Sequence, residues 1–166
     1  AKIIKQQSPK THFQIMGPYW DLNLKENLIQ PQEIDKLVQQ GIIEYLGEQD
    51  DVRPFIANAD CVVLPSYREG MPRTVLEGMS MGKAIITSNV PGCRETVVEN
   101  VNGYIVPVKD AKALADAFEK LISLSYEERK KMGAAGRKMA EQQFDDKLIA
   151  ENISTILNPI IDGSES

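Results

Sequence analysis

The chain has 166 residues, 42% of them apolar and 26% charged, a size that suits one globular domain with a real core. Its formal net charge of -5, with Lys and Arg scattered apart from the run Arg129 to Lys131, excludes a phosphate-backbone binder and with it nucleic acid as a partner. No apolar run reaches the roughly 20 residues that cross a bilayer, and two cysteines with a single histidine make neither a disulfide framework nor a metal set. A soluble, cytoplasmic setting with reduced thiols and no metal is therefore expected.

In chain order, AKIIKQQSPK reads as the tail of an amphipathic helix, with Ile3 and Ile4 set between lysines, and the expectation is a fragment of a longer protein. HFQIMG (12–17) predicts a strand after the lone His12, which is expected at the surface. The loop GPYWDLNLKENLIQP (17–31) is longer than most in compact domains, and Tyr19 and Trp20 leave open whether it is a binding loop or an insertion. QEIDKLVQQG (32–41) predicts a helix closed by glycine, IIEYLG (42–47) a strand, and DVRPFIANA (51–59) a short helix interrupted by Pro54. ADCVVLPS (59–66) is a continuous apolar run, the mark of a strand covered on both faces, with Cys61 as a buried thiol.

The second half repeats the alternation. TVLEGMSMG (74–82) predicts a helix, KAIITS a strand, residues 93–98 a turn of helix and GYIVPV a strand that follows the Asn102, Gly103 turn. Three helices close the chain, from Lys112 to about Leu124, from Tyr126 to about Gln142 with a charged, solvated face, and from Asp145 to about Leu157. Strand alternating with helix predicts an α/β fold, a Rossmann-like doubly wound parallel sheet, because parallel neighbours need crossover helices. The expected domain is 1–158, followed by a disordered polar tail at 159–166.

Chemistry concentrates in PSYREGMPRTVLEGMSMGKAIITS (65–88). In an open α/β sheet, ligands sit at the carboxyl ends of strands, where loops lead into helix N-termini that attract phosphate. Here a strand ends near Ser66, Gly70 permits close backbone approach, Pro72 opens a helix, and the amides of Thr74 and Val75 face whatever lies beyond it. Glu77 lies one turn further on, and helical side chains lean back toward the N-terminus. A carboxylate accepts both hydroxyls of a vicinal diol, so Glu69 and Glu77 could read the two ends of a nucleotide sugar. The residues alone equally allow helix decoration: Arg73 with Glu77 as an i,i+4 pair, and Glu69 as an anion near a helix start. Arg94 and Glu95 in PGCRETV carry the same two readings, reach toward the site or support of the next helical turn.

The order ADCVVLPSYREGMPRTVLEGMSMGKAIITSNVPGCRETV closely resembles the C-terminal, donor-binding half of retaining nucleotide-sugar glycosyltransferases with the GT-B fold, the family with two glutamates separated by seven intervening residues. The resemblance runs from about His12 to the last helices. It implies that Glu69 contacts the donor sugar as the catalytic residue, that backbone at Gly70 and Met71 holds sugar oxygens, that Thr74 and Val75 meet the diphosphate, and that Glu77 binds the ribose diol. Leu46 and Gly47 would edge the base. Arg73 replaces the apolar residue usual there, either as a phosphate contact or as a partner of Glu77.

The variant YREGMPRTVLE resembles the branch that acts on glycan or lipid-linked acceptors, often from UDP-sugars, with no metal and no cofactor. Such an enzyme would be cytoplasmic or peripheral at the inner face of the membrane. The family's first strand of this half, with its Arg and Lys, and the N-terminal acceptor domain have no match here, which implies a catalytically inert fragment. That gap would close by direct pairing of the remaining strands or be filled by another copy, and Ile149, Ile153 and Ile156 would favour a homodimer. A non-catalytic nucleotide-sugar-binding module and a GT-B-type epimerase stay open as alternatives. A dinucleotide oxidoreductase lacks its glycine-rich turn.

Overall fold

The computed structural model describes residues 1–18, 29–145, 147, 148, 150 and 154. Tyr19 and Trp20 of the long loop, the isoleucines at 149, 153 and 156 and the tail 159–166 lie outside the described residues. The chain divides into two compact units, Ala1–Pro54 and Phe55–Ser166. Each follows the strand and helix alternation that the sequence predicts.

The first unit contains α1 (Lys2–Gln7), β1 (Gln14–Met16), α2 (Pro31–Gln39) and β2 (Glu44–Gly47). Pro31 at the first helical position starts α2, the Glu33 carboxylate accepts from the Gln30 backbone N–H at 3.2 Å, and Gly41, with φ +64, turns the chain out. β1 and β2 are parallel neighbours with an irregularity between Ile15 and Met16. Ile4, Ile34 and Ile43 are buried, whereas Ile15 stays 36% exposed. The exposure follows from pairing: among the described residues, β1 has β2 as its one partner.

Short α3 (Arg53–Asn58) crosses into the second unit, which continues with β3 (Cys61–Leu64), α4 (Arg73–Ser80), β4 (Ala84–Ser88), a 3-10 turn at Arg94–Thr96, β5 (Gly103–Val106), α5 (Ala111–Ser123) and α6 (Tyr126–Gln143). The three strands form a parallel sheet in the order β3-β4-β5. Successive residues of β4 point to opposite faces, so both faces need cover, and both have it. On one face α4 lies close because Gly78 has no side chain: a Cβ there would be 2.8 Å from Val62 Cγ2 and 3.0 Å from Ile85 Cδ1. On the other, Ala84, Ile86, Tyr104 and Val106 pack with Ala117 and Leu121 of α5 and Met132 of α6. Ile85 and Ile86 are fully buried. Each such side chain contributes about 1.5–3 kcal/mol relative to exposure.

Helix α6 covers the amino ends of the strands. Gly133 sits on the Gly82 carbonyl, where a Cβ would be 1.8 Å from the oxygen. Buried Asn102 fastens the approach to β5, donating from Nδ2 to the Thr96 carbonyl at 2.9 Å and accepting from the Val98 N–H at 2.7 Å. With the amino ends covered in this way, the loops at the carboxyl ends of β3, β4 and β5 remain for a site.

Candidate functional site

Glu69, Gly70 and Met71 lie on the loop between β3 and α4, and Arg73, Thr74, Val75 and Glu77 on the helix it enters. Val75 and Met79 are fully buried and seat α4 against the sheet, which fixes where the helix N-terminus points. Pro72 precedes the helix with φ -76 and ψ 105 and makes no side-chain cap. The consequence is a helix start whose donors are divided. The Val75 amide donates to the Pro72 carbonyl at 3.0 Å, while the amides of Arg73 and Thr74 have no partner among the described residues. Of the two amides expected at a diphosphate, Thr74 is thus uncommitted and Val75 shared.

Glu69 is half-buried, and its Oε1 accepts a 2.6 Å hydrogen bond from Ser66 Oγ. Glu77 is half-buried as well, yet forms no ion pair with Arg73, which is exposed. The sequence leaves Arg73 between two roles, and in the structure it does not engage Glu77. Met71 is 51% exposed beside them.

Neighbouring loops complete the surroundings. Thr87 Oγ1 donates to the Leu64 carbonyl at 3.0 Å and ties β4 to the end of β3. After β4 the chain turns at Gly92, φ +85, where a Cβ would fall 1.5 Å from the Gly70 carbonyl oxygen and 3.1 Å from that of Glu69. Any other residue would drive the two loops apart. Beneath this contact Cys93 is fully buried; burial pushes its thiol up, and the charges of Glu69 and Glu95 act in the same direction. From the loop after β5, Lys109 at φ 59 places its ammonium 5.4 Å from the centre of the Tyr67 ring, a cation–π contact. Tyr67 is itself 57% exposed.

Ser66, Gly92, Tyr67 and Lys109 are absent from the residues that sequence reasoning selects. Only the Pro91–Gly92 dipeptide carries a local signal, that of a turn. Arg94 and Glu95 prove to be engaged with each other and with the backbone: Arg94 Nε donates to Glu95 Oε1 at 3.1 Å, and the Gly92 N–H donates to Glu95 Oε2 at 2.7 Å.

Leu46 and Gly47 belong to the first unit. Their carbonyls already accept, from Gln49 Nε2 at 2.5 Å and from the Gly17 N–H at 2.9 Å respectively, and Gly47 turns the chain with φ +67. A second lone pair remains on each oxygen. Among the described residues, no three His, Cys, Asp or Glu side chains gather as a metal set, and no helix is long and apolar enough to cross a membrane.

Comparison with known proteins gives the family to which a chain with this fold belongs. The model for the family "Glycosyl transferases group 1" matches residues 1–139. This chain belongs to that family. Among group 1 relatives, the N,N'-diacetylbacillosaminyl-diphospho-undecaprenol alpha-1,3-N-acetylgalactosaminyltransferase of Campylobacter jejuni is 32% identical over 127 residues, 76% of this chain and 33% of that protein. The capsular polysaccharide biosynthesis glycosyltransferase CapM of Staphylococcus aureus is 32% identical over 140 residues, 84% of this chain and 37% of that one. The chain therefore spans about a third of the length of these curated relatives.

Solved structures carry the same fold. Sucrose-phosphate synthase of Thermosynechococcus elongatus superposes with a TM-score of 0.81 at 24% identity, over 97% of this chain and 41% of that one. The C-terminal domain of a group 1 glycosyl transferase, LpcC, from Francisella tularensis gives 0.71 at 24% identity, over 87% and 75%. Anabaena HepE, solved in complex with UDP and glucose, gives 0.76 at 21% identity, over 95% and 43%. The likeness is to GT-B glycosyltransferases, with α/β layers and parallel strands.

Proposed function

We propose that this group 1 chain is the donor-binding part of a retaining glycosyltransferase, one that transfers a hexose or N-acetylhexosamine from a nucleotide diphosphate sugar, a UDP-sugar, to a glycan or lipid-linked acceptor. The observation that carries the reading is the start of α4, where uncommitted amides directly follow the Glu69 loop and precede an unpaired, half-buried Glu77. Glu69 contacts the hydroxyls of the donor sugar, with backbone at Gly70 and Met71 holding further sugar oxygens. Ser66, which already donates to Glu69, fixes which carboxylate oxygen remains for the sugar.

The Thr74 amide meets the diphosphate, the Val75 amide serves as a shared second donor, and the Arg73 guanidinium, free of Glu77, adds positive charge. Glu77 accepts from both ribose hydroxyls. As the sugar departs, charge grows on the diphosphate, and preorganised amides and cations in this position stabilise it without a metal. The UDP and glucose of the structurally similar HepE complex support a nucleotide sugar as ligand, and the named acceptors of the Campylobacter and Staphylococcus relatives support a lipid-linked or polysaccharide acceptor.

A donor site needs an acceptor site opposite it, so this chain alone binds donor and does not transfer it. Incubation of the chain with labelled UDP-sugar and acceptor should yield no product, and the full-length enzyme should yield product that keeps the donor's anomeric configuration and persists in the presence of a chelator. Transfer by the chain alone, inversion, or loss of activity on chelation would each overturn the corresponding part.

A further inference from the structure

Glu95 is an exposed carboxylate on a three-residue 3-10 turn, a place where a glutamate is ordinarily decoration. Its contacts run elsewhere. Oε2 accepts from the Gly92 N–H at 2.7 Å and Oε1 from Arg94 Nε at 3.1 Å. Gly92 in turn leaves no room for even a methyl group against the Gly70 carbonyl, and lies near that of Glu69. One carboxylate thus pins the peptide that bears on the backbone of the donor loop. Its own backbone amide, the Arg94 guanidinium and the Gly92 amide hold the Glu95 carboxyl below the usual carboxylate range, which keeps it ionised as an acceptor.

The two loops have few other fastenings. Thr87 Oγ1 joins the strands at Leu64, below the loop, and Ser66 Oγ fixes the Glu69 side chain from within the same segment. Neither sets the height of the Gly70 peptide. Gly92 does, from outside the segment, and Gly92 is held by Glu95.

We infer that Glu95 is a positioning residue for Glu69 and Gly70: by holding the Gly92 turn against their peptide, it sets the orientation in which the loop meets the donor sugar. The inference rests on the donor-binding reading of that loop. Loss of the carboxylate frees Gly92 to move, and the Gly70 peptide follows.

The test uses this 166-residue chain, with backbone amide signals from nitrogen–proton correlation spectra and calorimetric titration with UDP-glucose. Glu95→Ala should shift the amides of Gly92, Glu69 and Gly70 and weaken UDP-glucose by about fivefold, the loss of roughly one hydrogen bond. Glu95→Gln, which keeps an acceptor oxygen for Gly92, should restore the Glu69 and Gly70 signals. Glu141→Ala, which removes another surface carboxylate, should leave both readouts unchanged. Should Glu95→Ala not fold, Glu95→Asp withdraws the acceptor with less disturbance and carries the same comparison. Shifts confined to residues 92–96, or a Glu95→Gln chain that fails to restore Gly70, would overturn the inference. Failure of the donor reading looks different: UDP-glucose affinity then ignores Glu69→Ala, while the coupling between Gly92 and Gly70 still appears in the spectra.

Discussion

Glu69 and Glu77 differ in what the fold leaves them to do. Glu69 is oriented by Ser66 at 2.6 Å, whereas neither carboxylate oxygen of Glu77 has a partner among the described residues. Glu69→Gln preserves size and removes charge; it should abolish transfer by the full-length enzyme while changing UDP affinity by no more than about twofold, since UDP lacks the sugar. A Glu69→Gln enzyme with unchanged turnover would remove Glu69 from catalysis. The cysteines give a second expectation at this scale. Burial pushes both thiols up, that of Cys61 far above its ordinary range, so little thiolate exists at neutral pH. Neither should react with a chromogenic disulfide reagent until the chain is denatured, and rapid labelling of native Cys93 would contradict its place beneath the Gly92 turn. Cys61 as a strand thiol was legible from its neighbours Val62 and Val63, but the residue is part-buried rather than enclosed as expected. Cys93 was not, because PGC reads as an exposed turn, and its burial comes from packing between loops.

At the scale of elements, glycine substitutions separate local propensity from tertiary fit. Gly133→Ala lies inside α6, where alanine favours the helix by about 1 kcal/mol, but its methyl would meet the Gly82 carbonyl at 1.8 Å. Overpacking of that kind costs about 1–3 kcal/mol, so the clash should win and the midpoint of urea unfolding should fall. A rise would mean that α6 does not dock on Gly82. The start of α6 has its own pH signature. Ser125 and Glu128 form a reciprocal cap, and the Ser125 hydroxyl and backbone amide hold the Glu128 carboxyl below its ordinary value. A depressed folded-state value stabilises the fold above the unfolded carboxylate value, and the contribution disappears as pH falls through the folded one. Glu128→Gln should therefore lower stability at neutral pH and lose its effect in acid.

Helices and strands were readable because each depends on near neighbours: apolar runs closed by Gly or Pro, and caps at fixed spacing. Their boundaries fell within a few residues of the observed ones, as at Arg73–Ser80 and Ala84–Ser88. The Gly92 contact on Gly70, the cation–π pair of Lys109 with Tyr67 and the pairing of β1 with β2 join residues far apart in sequence, and no periodicity encodes them.

For the molecule as a whole, the decisive fact is that the carboxyl ends of β3, β4 and β5 converge on one loop cluster, while α6 occupies their amino ends. A cluster so placed has the ingredients of a donor site: two carboxylates, a helix start with uncommitted amides, and cations at Arg73 and Lys109. On the proposed donor-binding reading, Glu77 in this cluster binds a nucleotide and is not one half of an exposed ion pair. Calorimetric titration of the full-length enzyme with UDP, wild type against Glu77→Ala, tests this most directly. Loss of a carboxylate that accepts from two ribose hydroxyls should weaken UDP by about tenfold or more. A change of about 0.5 kcal/mol or less, the scale of a surface ion pair, would contradict the account.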